Sequence, residues 1–320
     1  MDRNLTLEAV RLTEAAALYA SRHMGKGDAA LSYKSASDAM ARVLSSMNMS
    51  SKVVIGVNRE DTLLVDGAHF SKENAQEVEL AVKPLDGRNT CARGGHNALS
   101  AIALGHKGSF MKLPEGYSGL MNKIAVGSDA RGVVDINQPV DINIKRVARA
   151  KGKYIEDITV CVLDRDIHKQ LVEDIRNTGA RIRYLRDGDI SAAISTAMDS
   201  NPVDMLMGVG GTKEGIIAAA ALQCLGGDFQ GKLISRNKTD EKYIKEISND
   251  DKEKIYGIRD LVLGEEIIVS VTGVTDGVLL PGVRYFSGGA ETSSILLRQK
   301  THTLRVIKAV HHFDYKPVFD

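Results

Sequence analysis

Helix-like and strand-like patterns alternate in the second half of the chain, and this alternation limits the folds that the chain can adopt. The patterned segments after Pro139 are residues 142–150, 158–163, 167–177, 181–185, 190–198, 203–209 and 214–225. Strands that alternate with helices of this length are typical of βαβ units, in which a helix returns the chain to a parallel neighbouring strand. The sequence therefore predicts an α/β fold with a parallel sheet in this half.

The first half begins with an amphipathic pattern. Apolar residues recur at helical spacing up to Gly25 and Gly27, which predicts a helix over residues 5–24, and a second helix is predicted over 35–47. Short apolar or alternating runs predict strands of one sheet at 52–57, 62–65, 78–82 and 98–104, and strand-like runs return after 265. The charged stretch 237–254 indicates a solvated helix and loop. We place a domain boundary near residue 145, with an N-terminal domain over 1–145 and a C-terminal α/β domain over 146–320.

Composition excludes several classes of function. The 320 residues are 43% hydrophobic, which is enough for a large core. Lys and Arg number 42 and Asp and Glu 41, without a basic block, so we expect no nucleic-acid partner. The longest apolar stretch, 216–225, is too short to cross a bilayer, and charges interrupt residues 1–21 where a signal peptide is apolar. We expect a cytosolic protein without a membrane partner. Three widely spaced cysteines, Cys91, Cys161 and Cys224, predict buried free thiols rather than a disulfide framework or a zinc site.

The stretch 81–88, AVKPLDGR in one-letter code, has the layout of a metallophosphatase motif with different residues at the chemical positions. In the working motif, two carboxylates three residues apart ligate two divalent cations across a tight turn, and a hydroxyl two residues later orients the attacking water. Here the first carboxylate position is Lys83 and the hydroxyl position is Arg88. Asp86 and Gly87 are kept. The stretch therefore predicts a phosphatase scaffold with altered chemistry.

Further motifs extend this likeness over about residues 5–309. They are RLTEAAA at 11–17, MGKGD at 24–28, VIG at 54–56, the turn at 84–87, KIAVG at 123–127, DGD at 187–189, GG at 210–211, EG at 214–215 and TGVTDG at 272–277. On these motifs the chain resembles the class II fructose-1,6-bisphosphatases, which are related by fold to the lithium-sensitive sugar and inositol phosphatases. The resemblance implies a layered αβαβα sandwich with one mixed sheet and one parallel α/β sheet. It also implies a metal-dependent phosphatase of gluconeogenesis.

The resemblance assigns five carboxylate positions to the metal side of the site. In this chain they are Tyr33, Val57, Lys83, Asp86 and Glu214, and only Asp86 and Glu214 can ligate a hard cation. We therefore expect Mg²⁺ or Mn²⁺ to bind weakly or not at all.

Other family positions near the metals vary as well. Asp61 matches a family carboxylate near the attacking water and is the candidate catalytic residue, whereas an acidic position has become Arg59 and a lysine has become Ala29. An alternative is a local shift of the alignment, with the missing oxygens supplied by Asp28, Glu60 or Asp66.

The chain matches the family better at the substrate-binding positions than at the metal-binding positions. The implied substrate-binding residues are Asp86, Gly87, Arg88, Tyr117, Arg165, Asp187, Gly188, Asp189 and Gly211. Gly211 precedes a predicted helix, where free backbone N–H groups and the helix dipole favour an anion. His168 also matches, but a family arginine is Ile167 here. For Tyr117 the sequence leaves open an exposed loop tyrosine without a role. For residues 187–189 it leaves open an ordinary Asp-Gly turn. The pair at 311–312 indicates structural or surface histidines.

Two functions fit these residues. The first is a sugar-phosphate-binding or regulatory protein with little or no phosphatase activity, either a homo-oligomer or a partner of an active paralogue. The second is an active metal-dependent fructose-1,6-bisphosphatase with a rearranged metal site. In either case the small-molecule partner is a sugar phosphate. Cationic groups at Arg59, Lys83 and Arg88 favour the first, because fixed positive charge would stand where metal charge is expected.

Overall fold

The structure, a computed structural model, describes residues 4–57, 62–72, 77–114, 117–249, 251 and 253–315. The helices are α1 (Asn4–Ser21), α2 (Ala29–Ser46), α3 (Arg88–Ala92), α4 (Val140–Lys151), α5 (Lys169–Thr178), α6 (Asp189–Ser195), α7 (Thr212–Leu225), α8 (Lys238–Ser248) and α9 (Ile258–Leu261). The strands are β1 (Ser50–Ile55), β2 (His69–Phe70), β3 (Glu77–Asp86), β4 (Leu99–His106), β5 (Leu120–Val126), β6 (Thr159–Leu163), β7 (Arg181–Leu185), β8 (Met205–Gly211), β9 (Asp228–Ile234), β10 (Tyr256–Gly257), β11 (Ile268–Gly273), β12 (Arg284–Phe286), β13 (Gly289–Arg298) and β14 (Thr303–His312). Short 3₁₀ turns cover Ser128–Ala130, Ile155–Asp157, Asp166–His168, Gln299–Thr301 and Phe313–Tyr315.

The chain divides into two compact units. Unit 1 comprises Met1–Phe110 and Gly264–Asp320, and unit 2 comprises Met111–Leu263. The C-terminal strands belong to unit 1 because β11 pairs with β4 in an antiparallel ladder. The division therefore differs from the domain boundary expected near residue 145, which falls inside α4 of unit 2. Sequence patterns reveal strands but not which distant strands pair, so the return of the chain to unit 1 was not foreseen.

Unit 1 is built on a mixed sheet. In its described part the strand order is β12-β13-β11-β4-β3-β1-β2, with β14 paired to β13. β1 and β3 are parallel, and the other pairs are antiparallel. Helices α1 and α2 pack against each other, and α1 covers β3, β4, β11 and β13. Alternate residues of β3 and β4, such as Leu80, Val82, Ile102 and Leu104, fill the core beneath them together with Leu12.

Unit 2 is built on a second mixed sheet, with the order β10-β9-β5-β8-β6-β7. β6 is parallel to β7 and to β8, as the alternating patterns predicted. β5 lies between β8 and β9 and is antiparallel to both, so the α7 connection passes over one intervening strand. The parallel arrangement expected for the whole sheet is therefore limited to β8, β6 and β7. The protein is α/β with two mixed sheets and helices packed around them, consistent with the expected layered sandwich.

Several predicted elements differ from the structure in their bounds. Helix α2 begins at Ala29 instead of residue 35, because the Asp28 carboxylate accepts a hydrogen bond from the Leu31 N–H (2.8 Å) and caps the helix. The strand predicted over 62–65 is wrong in the structure, where Val65 makes only an isolated bridge to Val57. β3 extends through the predicted turn to Asp86, with an irregularity in its pairing after Lys83.

Within the described ranges, no helix combines the length and the apolar character that a bilayer crossing needs. The prediction of buried free thiols is confirmed for Cys91, Cys161 and Cys224. Burial raises the pKa of the Cys91 thiol to about 11 and that of Cys161 to about 12, and it also raises the pKa of Cys224. All three are therefore protonated, unreactive thiols at neutral pH.

The Asp28 cap predicts a measurable contribution to stability. Asp28→Ala should lower the free energy of unfolding by about 0.5–2 kcal/mol in a denaturant titration, because the first turn of α2 loses an acceptor for one of its free N–H groups. Asp38→Ala is the matched control, since Asp38 lies on the same helix in an exposed pair with Lys34 and should cost less than about 0.5 kcal/mol. Equal effects of the two substitutions would contradict the capping role.

Candidate functional site

The predicted substrate-binding residues of unit 2 gather at one edge of its sheet. Arg165 follows β6, Asp187 follows β7, and Gly211 ends β8. Because these three strands run parallel, their carboxyl ends lie at the same edge. The structure thus brings this part of the predicted set together on the scaffold position where open α/β sheets bind ligands.

A buried ion pair lies at this edge. Lys123, near the middle of β5, contacts the carboxylate of Asp189, and the two residues are 3% and 6% exposed. The Lys123 ammonium also donates to the Gly211 carbonyl (3.0 Å). A methyl group at Gly210 would overlap the Asp189 carboxylate and lie 2.8 Å from Nζ of Lys123, so the pair needs glycine there. Sequence analysis missed this role of Lys123, although a lysine inside an apolar strand was a signal for a buried partner.

Arg165 and Asp187 form a second, more open pair. Their guanidinium and carboxylate groups are 3.8 Å apart, with 43% and 23% of the side chains exposed. Gly188 follows in a left-handed conformation, with φ of 97°, that a side chain would strain. Solvent screens an ion pair of this kind, so the Arg165 guanidinium can exchange its partner for a ligand anion at little cost.

The junction of β8 and α7 is closed by side chains. Thr212 donates to the Gly119 carbonyl through its N–H and through its hydroxyl, both at 3.0 Å. The Glu214 carboxylate folds back over Gly211 so closely that a methyl group at Gly211 would overlap it. A carboxylate in the first helical turn is favoured by the helix dipole. The anion predicted at this junction would therefore meet the negative charge of Glu214.

Tyr117 is buried rather than exposed. Its side chain is 1% exposed and its ring packs edge-on against that of Tyr243, with ring centroids 5.6 Å apart. Burial raises the pKa of the Tyr117 phenol, and that of the neighbouring Tyr256 to about 12. The alternative of an exposed loop tyrosine is therefore wrong. A contact between Tyr117 and a sugar phosphate stays a prediction.

His168 has a structural role that its place in a sequence motif did not reveal. Its ring is 2% exposed. The Val209 N–H donates to Nε2 (2.8 Å), so the ring proton lies on Nδ1, which donates to the Leu163 carbonyl (2.7 Å). A methyl group at Gly208 would lie 2.9 Å from Nε2. The neutral imidazole thus ties the end of β6 to β8 at the edge that carries Arg165.

The altered phosphatase turn lies in unit 1. Asp86 is the last residue of β3 and is buried, whereas Arg88 begins α3 and is exposed. Between them Gly87 adopts a left-handed conformation with φ of 81°, and its carbonyl accepts the Cys91 N–H (2.8 Å). Lys83 is half-buried. The turn therefore presents one buried carboxylate and an exposed guanidinium.

The described residues do not fit a two-metal centre. Tyr33 and Val57, at two positions that the resemblance gives to carboxylates, are buried in the hydrophobic core of unit 1. In the described ranges, no three His, Cys, Asp or Glu side chains are grouped as a metal ion requires. The alternative ligand Asp28 caps α2, and Asp66 accepts the Gly56 N–H (2.6 Å). Asp61, Arg59 and Glu60 lie outside the described residues.

Comparison with known proteins gives one family. The profile of the family described as "Bacterial fructose-1,6-bisphosphatase, glpX-encoded" matches residues 3–311. A protein of Haemophilus influenzae named fructose-1,6-bisphosphatase class 2 is 36% identical over 328 aligned residues, which cover 98% of both chains. Proteins of a Synechococcus strain and of Microcystis aeruginosa, each named D-fructose 1,6-bisphosphatase class 2/sedoheptulose 1,7-bisphosphatase, are 34% identical over 340 residues. They cover 98% of this chain and 97% and 98% of their own lengths.

The His168 bridge predicts a large effect on stability. His168→Ala should lower the free energy of unfolding by roughly 2–4 kcal/mol, because it removes the imidazole partner of the partly buried Val209 N–H and of the buried Leu163 carbonyl and opens a cavity. His69→Ala is the control, since His69 is exposed on β2 and its loss should change stability by less than about 0.5 kcal/mol. Denaturant titration of both variants makes the comparison. A small effect of His168→Ala would show that the bridge is dispensable.

Proposed function

Because the chain belongs to the class II fructose-1,6-bisphosphatase family, we propose that it binds a sugar phosphate and has little or no phosphatase activity. The observation that carries this proposal is the burial of Tyr33 and Val57 in the hydrophobic core of unit 1. Mg²⁺ and Mn²⁺ need several oxygen ligands in a near-octahedral array. Two side chains without carboxylates, enclosed among apolar neighbours, cannot supply them.

The charge of the altered turn supports the same proposal. Lys83 and Arg88 put an ammonium and a guanidinium on the stretch where the family motif has a carboxylate and a hydroxyl. These cations can attract a phosphate, with Asp86 and Gly87 as its neighbours in the turn. They do not supply the Lewis acid or the activated water that phosphate hydrolysis requires. The turn therefore suits binding better than turnover.

The polar groups of unit 2 support recognition of the sugar phosphate. We assign the Arg165 guanidinium to a phosphate, because its ion pair within the described residues is the open one with Asp187. Carboxylates after β7, Asp187 and Asp189, would accept hydrogen bonds from sugar hydroxyls. Ile167 is exposed at a family arginine position, so the second phosphate has one cation fewer. Gly188, Gly211 and Tyr117 complete the proposed set.

The proposed role is that of a regulatory or binding protein of carbohydrate metabolism in the cytosol. It would act as a homo-oligomer or as a partner of an active paralogue. Fructose 1,6-bisphosphate is the first ligand to test. Sedoheptulose 1,7-bisphosphate is the second, since it appears in the names of two relatives.

A phosphate-release assay tests the missing activity. With fructose 1,6-bisphosphate and millimolar Mn²⁺, we expect no turnover in the ordinary enzymatic range of about 1–10³ s⁻¹. The Haemophilus influenzae relative, assayed in the same buffer, is the positive control. Turnover in that range, abolished by Asp86→Asn or Glu214→Gln, would contradict the proposal and establish an active phosphatase with a rearranged metal site.

Restoring the family ligands tests the cause of the missing activity. The five-site variant carries Tyr33→Asp, Val57→Glu, Lys83→Asp, Arg88→Thr and Ala29→Lys. Without metal we expect it to unfold at a lower temperature than the parent chain, because two of the new carboxylates replace buried apolar side chains. Mn²⁺ should recover the loss, since a ligand at about 100 times its Kd stabilises the native state by about 2.7 kcal/mol.

Lys83→Asp alone is the matched control for the five-site variant. It should gain no metal binding, because a two-metal site needs its ligands together. Melting curves with and without Mn²⁺ distinguish the two proteins. A folded five-site variant that binds no more Mn²⁺ than the parent would show that these positions are not the family's metal ligands.

A further inference from the structure

We infer that Lys123 is a positioning residue of the proposed sugar-phosphate site, which holds Asp189 so that one carboxylate oxygen faces a sugar hydroxyl. The inference rests on the function proposed above. Lys123 lies near the middle of β5, whereas the other assigned residues lie at the ends of strands, at helix starts or in loops. Its ammonium contacts Oδ2 of Asp189 and donates to the Gly211 carbonyl (3.0 Å). It thereby links the start of α6 to the junction of β8 and α7.

Stability alone is a weak explanation for this pair. Removing two charges from water is costly, and a buried ion pair can often be replaced by apolar residues without loss of stability. The surrounding strand residues Ile124, Ala125 and Val126 are buried and apolar, so an apolar side chain at position 123 would suit the strand. A lysine at this position, against a carboxylate at the edge where open α/β sheets bind ligands, indicates a role in placing that carboxylate.

The geometry leaves one oxygen of Asp189 for a ligand. Oδ2 faces Lys123, whereas the described residues provide no donor for Oδ1. Asp189 is more than nine-tenths buried, but Oδ1 is not one of the fully enclosed polar atoms that lack a partner, so a ligand donor can reach this oxygen. A hydroxyl group is the ligand chemistry that fits, because it donates to a carboxylate and carries no charge. The Lys123 ammonium balances the carboxylate charge, so the site can accept the hydroxyl of an anionic sugar phosphate.

Calorimetric titration of Lys123→Met with two probes tests the inference. Affinity for fructose 1,6-bisphosphate should fall by at least about tenfold, because Asp189 loses its orientation and one charge-assisted hydrogen bond to the sugar weakens. Affinity for inorganic phosphate, which carries no sugar hydroxyl, should stay unchanged. A merely structural defect would lower both affinities together, so the split between the two probes is diagnostic.

Lys153→Met is the matched control, since Lys153 also pairs with a buried carboxylate, that of Asp204 (2.7 Å). This pair lies at the amino ends of β6 and β8, away from the carboxyl ends where the ligand is proposed to bind. It should leave both affinities unchanged. Gly210→Ala is the second variant should Lys123→Met fail to fold. It keeps both charges, but its methyl group would overlap the Asp189 carboxylate, so the same selective loss is expected.

The outcomes separate this inference from the function on which it rests. Wild-type affinity for fructose 1,6-bisphosphate in Lys123→Met, or a parallel loss of both affinities, overturns the role of Lys123 and leaves the proposed function standing. A wild-type chain that does not bind fructose 1,6-bisphosphate overturns both. Selective loss of the sugar phosphate in Lys123→Met or Gly210→Ala, with Lys153→Met unchanged, supports the inference.

Discussion

The hydrophobic core between the two N-terminal helices and the sheet of unit 1 limits which side chains can stand at the family's metal-ligand positions in this protein. Tyr33 and Val57 belong to that core, together with Val82 and Leu85 of β3. A carboxylate at either position would be buried among apolar side chains and would need a cation to offset its charge. Because both side chains are uncharged, the core packs without a buried charge and needs no cation to offset one. On the proposed function, folding of unit 1 therefore needs no metal ion.

In unit 2, the edge of the sheet formed by the carboxyl ends of β6, β7 and β8 is held by a different kind of interaction. His168 ties β6 to β8 through two backbone groups, and Lys123 ties β5 to the start of α6 and to Gly211. These contacts exist within the protein itself and require no bound ion. The arrangement of Arg165 and Asp189 at this edge therefore does not depend on the residues at the family's metal-ligand positions. On the proposed function, this difference between the units would allow sugar-phosphate binding without hydrolysis.

Local patterns in the sequence predicted many elements, because apolar periodicity and glycine stops act over a few residues. The first helix, β4 and the run from α4 to α7 are examples. The sequence did not predict that β5 enters between β8 and β9, or that β11 pairs with β4, since strand pairing depends on distant partners. The predicted start of α2 is too late because Asp28 caps the helix upstream of the predicted range. The residues of the site were identified by resemblance, whereas the buried partners of Lys123 and His168 required coordinates.

Binding of fructose 1,6-bisphosphate with and without divalent metal tests the central claim most directly. Calorimetric titrations of the wild-type chain would be made in excess EDTA and in millimolar Mn²⁺, with the ligand saturated with the same ion in the second case. The account predicts binding in EDTA, with the same Kd in both buffers to within about threefold, or about 0.65 kcal/mol. Binding that appears only with Mn²⁺ would contradict it, because recognition would then depend on a metal ion that the proposed function does without.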